Sequence, residues 1–528
     1  MPSSNQYIEL CSRPKAKVAG GRFVIQRDHI GEDSDVASSD TIELAEDFPL
    51  TNTETTRDSH GKEVILLSFV PGDPENPFNW SVHRRRFISA LLCLMTLFIG
   101  LATTAYSSGI GRMCRDLGVS QEIGQLGLFT FNITCAIAPL FLAPFCELAG
   151  RRVVYVGAYL CFSILFIGLA LGKNIATILV CRALLGLFGS VGTILVGGTF
   201  SDMYHAEERA QAMAFFSYVA ILGTVAAPIY AGFIDETIGW RWIEGIQGLS
   251  NIPLLTLVAF GLPETRGGLV LQKRAHTLAA ATGSNNFVSH MDLEARSLKA
   301  LVHESSVKAI HMLLTEPVVF LFGLWIAFAW TITFLFLSVI SITFQEKRGW
   351  SEGVGGLPYI SLCIGATFGY FANIFLQMRK WSRIESAADR KIVPEDRLYG
   401  AMSGAWLLPV GLFIYSFTQY EYLSWVGPAV ALAPIAAGIF FIFESCYSYT
   451  TDCYGEDSSG SALAAQSFLR NTMGAVAPLF ASQFFHNVGS QYAGLILSLV
   501  ATLMAPIPFV MFKYGHVLRR RSPLAEHD

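Results

Sequence analysis

Charge is what this sequence has least of. Only 15% of its 528 residues are Asp, Glu, Lys or Arg, against roughly 25% in an average soluble domain. With 52% hydrophobic residues, so few charges cannot cover a water-facing surface of this size, which excludes an ordinary soluble protein. A formal net charge of -4, with no basic surface apart from the Lys and Arg that flank the apolar runs, argues for no nucleic-acid partner. The ten cysteines are scattered, with no CxxC pair and no Cys/His cluster, so no metal, cofactor or disulfide framework is expected. Clustered His, Asp or Cys at the membrane surface are also missing, which argues against a multispan enzyme. Residues 1 to 30 hold no apolar signal-peptide core, and the first span is expected to act as the insertion signal.

What is present is a series of long apolar runs. They lie near 87 to 109, 123 to 145, 153 to 172, 175 to 199, 212 to 234, 243 to 262, 317 to 344, 353 to 377, 401 to 418, 423 to 445, 461 to 486 and 489 to 512. Each is long enough as a helix to cross a hydrocarbon core of about 30 Å. The expected fold is an all-α membrane protein of twelve transmembrane helices in two six-helix pseudo-symmetric bundles, residues 81–262 and 317–512. A polar segment, 263–316, joins the bundles, and residues 513–528 form a short tail. Residues 1–80, with runs such as GEDSDVASSDTIELAED, bury too little apolar surface to offset ordering and are expected to be disordered. Lys and Arg gather before the first span (Arg84 to Arg86), in the middle segment and at Arg519 to Arg521, which predicts that both termini are cytoplasmic.

The halves look duplicated. The fifth run reads GTVAAPIYAGF from Gly223 and the eleventh reads GAVAPLFASQF from Gly474, as nested repeats would leave them; chance in Ala-rich, Pro-containing helices is the other explanation. Two sets of six spans suggest a secondary transporter rocking about a midplane site.

Between the second and third runs the chain reads APFCELAGRRVVY. This resembles the major facilitator superfamily signature, with Glu147 at the acidic position and Gly150, Arg151 and Arg152 matching, while Ala143 and Leu148 depart from it. DPENPFNWS at 73 to 81, PET at 263 to 265 with KRA from Lys273, PEDRL at 394 to 398 and SALAAQSFLRNTMGAVAPLF at 461 to 480 resemble the fungal twelve-span drug:proton antiporter branch. The resemblance implies multidrug, secondary-metabolite or organic-acid export, without naming a substrate. It also implies that Glu147, Gly150, Arg151 and Arg152 latch the two halves together, although positive-inside anchoring explains the arginines equally. Gly223, Pro228 and Gly232 resemble the antiporter motif of the fifth span, where small residues let a neighbouring helix slide and Pro allows a kink.

Arg182 interrupts ILVCRALLGLFGSVG, roughly 10 Å into the fourth run at 1.5 Å per residue. A cation there costs about 2.5–3.5 kcal/mol on insertion scales, so a compensating group is required. The position matches the family's intramembrane Arg, which the resemblance ties to proton coupling; a structural Arg capping carbonyls is the alternative. The first and fourth runs contain no central acid, and the partner is unassigned. Arg470 and Glu444 are the other intramembrane charges and can pair with each other or stand apart. Tyr106, Thr103, Asn132 and Trp330 are the remaining candidates for the substrate and proton pathway, since aromatics with a few polar groups suit a semi-polar organic ligand; helix packing also accounts for them.

The expected activity is export of a secondary metabolite or xenobiotic by alternating access, with proton exchange, by a monomer in the plasma membrane, the vacuolar membrane ranking second. Alternatives are an organic-acid anion, a polyamine, or a transporter-like receptor that signals through its tail. The expected partners are the small-molecule substrate, protons and the lipid bilayer.

Overall fold

The computed structural model describes residues 63–282, 286–293, 298–386, 393–522 and Leu524, together with short strands at Lys17–Ala19, Arg22–Ile25, Ile42–Leu44 and Thr51–Arg57. Most of the expected tail, and Cys11 with it, lies outside the described residues. The nine described cysteines are free thiols.

Among the described residues, ten helices are long and apolar enough to cross a bilayer. In chain order they are Val82–Leu117, Arg151–Leu171, Ile175–Met203, Glu208–Ile238, Trp240–Gly261, Pro317–Glu346, Glu352–Leu376, Pro394–Thr418, Val426–Tyr454 and Ser490–Arg520. An eleventh span, the second along the chain, is the pair Gln121–Ile137 and Pro139–Ala149, bent by 48°. The bend falls at Pro139, which has no N–H to continue the helical ladder.

The one expected span missing from that set, 461–486, lies in the later part of the helix Val426–Val488, where Gln466, Ser467, Arg470, Asn471 and Thr472 crowd its centre with polar groups. A straight helix would hold Tyr447 and Arg470 about 35 Å apart at 1.5 Å per residue, yet Arg470 Nη1 donates to the Tyr447 hydroxyl at 2.6 Å. The chain therefore doubles back between them, and the tenth and eleventh spans are antiparallel neighbours. Chain reversal, rather than apolarity, identifies this span.

The halves repeat each other at specific points. Gly239 (φ 96°) and Gly489 (φ 86°) turn the chain from the fifth span to the sixth and from the eleventh to the twelfth, a backbone region open chiefly to Gly. Gly223 lies against Leu97 of the first span, and Gly474 against Trp330 of the seventh. The two corresponding glycines thus mark the same helix pairing in each half, as a duplication requires.

Residues 82–263 and 298–528 make up this helical unit, and residues 1–81 with 264–297 form a second. In the second unit the strand Glu63–Phe69 pairs antiparallel with Thr51–Arg57 and parallel with Phe287–Val288, over a core of Leu67, Ala275, Leu278 and Phe287. The disordered-tail expectation fails for residues 63–80. That stretch is too short of apolar residues to fold alone, but Val64, Leu66 and Leu67 are buried because the middle segment supplies the other side of the core. Arg274, in the helix Gly267–Thr282, donates to Asp73 at 2.8 Å and Glu75 at 2.5 Å. The motifs DPEN and KRA, some 200 residues apart, meet through this clamp. Burial opposes the Arg274 charge, but the hydrogen bonds and charges of Asp73 and Glu75 outweigh it and raise the guanidinium above its ordinary value. The middle segment is also divided, because Leu298–Thr315 belongs with the helical unit, and at the C-terminus the helix runs on to Arg521 beyond the expected end at 512.

Candidate functional site

Arg182 has no exposed surface. Its Nη1 donates to the Ala102 carbonyl at 2.8 Å, Nη2 to Thr103 at 2.9 Å and Nε to Gly127 at 3.2 Å. The Tyr106 and Phe131 rings lie 4.5 and 4.7 Å from the guanidinium carbon, near enough for cation–π attraction. A planar fork reaching three carbonyls on two helices is geometry that Lys cannot reproduce. The compensating charge comes from Glu244 of the sixth span, buried and with Oε2 lacking a hydrogen-bond partner; it is the carboxylate whose charge acts on Arg182 among the described residues. Tyr106 donates its hydroxyl to the Gly124 carbonyl at 3.0 Å, which orients the ring beneath the guanidinium.

Next to this cluster, and sharing Thr103 and Phe131 with it, a midplane cavity of about 40 Å³ lies between the halves. Thr103, Asn132, Ser217, Trp330, Arg470 and Asn471 are among its lining residues, with Phe131, Phe216, Phe443 and Tyr447 as the aromatic wall. Of the candidates, Thr103, Asn132, Trp330 and Arg470 meet here, whereas Arg182, Tyr106 and Glu444 lie outside the lining. Arg470 donates to Tyr447 and, at 3.3 Å, to Asn471 Oδ1, and it stacks on Trp330 and Phe443 at 5.1 and 5.4 Å. Glu444 Oε1 accepts from Ser448 at 3.0 Å. Two lining donors, Trp330 Nε1 and Ser217 Oγ, have no hydrogen-bond partner. Buried donors are nearly always satisfied, and these two stand open in the lining that also holds Arg470. Asn471 reaches across the halves to the Cys135 carbonyl at 3.4 Å.

The gating candidates other than Gly223 fall toward the two ends of the helices. Gly150 (φ 92°) makes the turn between the second and third spans. Arg151 donates to Asp202 at 2.9 Å and Arg152 to the Ala259 carbonyl at 3.1 Å, bonds that stay within the first half rather than reaching the second; Glu147 is exposed. At the opposite end the halves are in close contact. A Cβ on Gly232 would stand 2.4 Å from the Glu352 carbonyl oxygen, and one on Gly356 2.3 Å from that of Pro228, while Glu236 accepts from the Gly353 N–H at 3.1 Å. The small residues of the fifth-span motif therefore make this closure possible, with Gly223 serving the first span instead.

A Major Facilitator Superfamily model matches residues 92–478. The chain belongs to this superfamily. It is similar to the MFS-type transporter oryN of Aspergillus oryzae, 33% identical over 87% of this chain and 89% of that one. The MFS-type efflux pump MFS2 of Trichophyton rubrum is 31% identical over 90% and 79%, and the multidrug transporter TPO1_1 of Candida glabrata 32% over 86% and 79%. These place the chain in the fungal efflux-type branch. The solved structure of the proton:xylose symporter XylE, at 15% identity and a TM-score of 0.57, covers 82% of this chain and 96% of its own, a likeness of fold alone. The chain is a multi-span membrane transporter of small molecules, and not an enzyme.

For this facilitator, sequence reasoning missed Glu244, Ser217 and Asn471. A search for an acid confined to the first and fourth spans passed over the sixth. The signal there was Glu244, Gln247 and Asn251 at spacings of three and four in an apolar run, one helical face, and all three are buried.

Proposed function

We propose that this facilitator exports a small organic compound, a secondary metabolite or xenobiotic, from the cytoplasm by alternating access and in exchange for protons. Both termini lie in the cytoplasm and the membrane is the plasma membrane. The observation that carries the reading is the midplane cavity, where an aromatic wall surrounds Arg470 and the unsatisfied donors Trp330 Nε1 and Ser217 Oγ. Such a lining suits an apolar or aromatic body bearing acceptor groups. The names of the efflux pump and multidrug relatives support outward transport.

A second reading, export of an organic anion, is favoured by Arg470 as the one charged side chain among the described lining residues. The polyamine alternative loses support, because the same lining holds no carboxylate. The test is accumulation of rhodamine 6G and of a panel of aromatic carboxylic acids in yeast lacking its own efflux pumps. Expression of the full chain should lower intracellular probe, and Arg470→Ala should restore it; unchanged accumulation of every probe overturns the reading.

A further inference from the structure

The sixth span carries a polar ladder that neither the cavity nor the closure uses. Glu244 lies one turn in from Trp240, about 6 Å from the helix end at 1.5 Å per residue, at the end where Gly232 and Glu352 meet. Gln247 Nε2 donates to the Tyr230 hydroxyl at 2.8 Å, Asn251 Nδ2 to the Gln247 carbonyl at 2.7 Å, and Tyr159 to Asn251 Oδ1. Two oxygens of the ladder are left without a hydrogen-bond partner, Gln247 Oε1 and Glu244 Oε2, and of these only Glu244 can take up a proton; 3% of its surface is exposed. A buried carboxylate left so is costly, unless the group spends part of its working cycle as a neutral acid.

Among the described residues, three titratable groups from other spans act on Glu244 or feel its charge. From the fourth span comes Arg182, from the first Tyr106 and from the fifth Tyr230, each coupled to it electrostatically. The third span's Tyr159 is engaged two turns away with Asn251. Arg182 is the cation among them whose charge acts on Glu244. Arg182 is also bonded to the carbonyls of Ala102 and Thr103, and the Thr103 side chain lines the substrate cavity. A change of charge at Glu244 alters the demand on the guanidinium, and the guanidinium holds the stretch of first span that faces the substrate.

We propose that Glu244 is the proton-binding residue of this transporter and that Arg182 relays its charge state to the cavity through the first span. The step forms one O–H bond at Oε2 when a proton arrives from the end bearing Trp240, and breaks it when the proton leaves after the halves have rearranged; no other bond changes. In the neutral state Arg182 relies on its three carbonyls and two rings alone, which tightens its hold on residues 102 and 103. In the charged state the carboxylate competes for the guanidinium and loosens that hold. This rests on the reading that transport is coupled to protons.

The test uses the full chain in phosphatidylcholine liposomes. Infrared difference spectra between buffers on either side of neutrality, where ordinary exposed carboxyls stay ionised in both, should show a protonated-carboxyl C=O band in the wild type. The band should vanish in Glu244→Gln, persist at a shifted frequency in Glu244→Asp, and titrate at a different pH in Arg182→Lys. A band unchanged in Glu244→Gln, or no such band in the wild type, overturns the assignment. In the same vesicles Glu244→Gln should lose proton-gradient-driven uptake of rhodamine 6G, while keeping its gradient-free equilibration; retained gradient-driven uptake also overturns it. A wild type that moves no organic probe defeats the export reading separately, since the infrared result does not depend on transport.

Discussion

Arg182 on the fourth span and Glu244 on the sixth are both buried, and each carries the charge that acts on the other. The pair explains how a permanent cation is tolerated at this depth. Three carbonyls accept from the guanidinium, two rings cover its faces, and one carboxylate balances its charge.

Arg182→Lys should fold and reach the membrane but lose most transport, on the order of tenfold or more, because an ammonium cannot hold carbonyls on two helices at once. Arg182→Ala should also lower stability, since it leaves the buried carbonyls of Ala102, Thr103 and Gly127 without their donor. Transport by the purified protein and its thermal midpoint separate the two effects. Normal transport by the Lys variant would refute the role given to the fork.

Trp330→Phe keeps the ring beside Arg470 and removes only the indole N–H. The half-saturation concentration for an acceptor-bearing substrate should rise about two- to tenfold, the equivalent of one hydrogen bond of roughly 0.5–1.5 kcal/mol, with little change in protein yield. An unaltered value would mean that the orphan N–H does not meet the substrate.

Gly232→Leu places atoms where the Glu352 carbonyl now lies. The closed contact at that end should become inaccessible and the conformational cycle should stall. Thiol labelling of a cysteine introduced at Glu236 should increase in the variant while transport falls to background. The same substitution at Gly111, whose Cβ position is open space, is the control.

In the unit built from residues 63–81 and 264–293, Arg274→Ala should destabilise by about 3–5 kcal/mol, the range for removing one partner of a buried ion pair. Limited proteolysis between Pro71 and Trp80 reads this directly. Faster cleavage there, with the helical unit intact, is the expected outcome.

Asp292 adds an acid dependence to the same unit. Burial works to raise its carboxyl, but hydrogen bonds from Gln272 and Ser289 outweigh this and hold it below the ordinary Asp value. Its stabilising contribution is complete above the unfolded value of about 3.9 and fades as pH falls through the lower folded value. Proteolytic sensitivity of the unit should therefore rise at the acid end, and Asp292→Asn should flatten that dependence.

Much of this was legible in the chain itself. All spans but 461–486, and the pairing of the halves, follow from apolar run length and from the GTVAAP and GAVAP segments, because a bilayer imposes length and composition on each helix separately. An intramembrane cation is equally local: Arg182 and Arg470 stand out wherever they point. Their partners are not local. Arg182 draws on Ala102, Thr103, Gly127 and Glu244 from three other spans, and Arg470 reaches Tyr447 only because the chain reverses between them. Residues 63–80 look disordered alone and acquire a core only from residues 275–287. The sequence by itself determined a two-half bundle of apolar helices with charges placed where lipid forbids them. Only the tertiary structure decided which groups satisfy those charges and which donors remain open for a substrate, since packing brings together side chains whose separation along the chain carries no information about their contact.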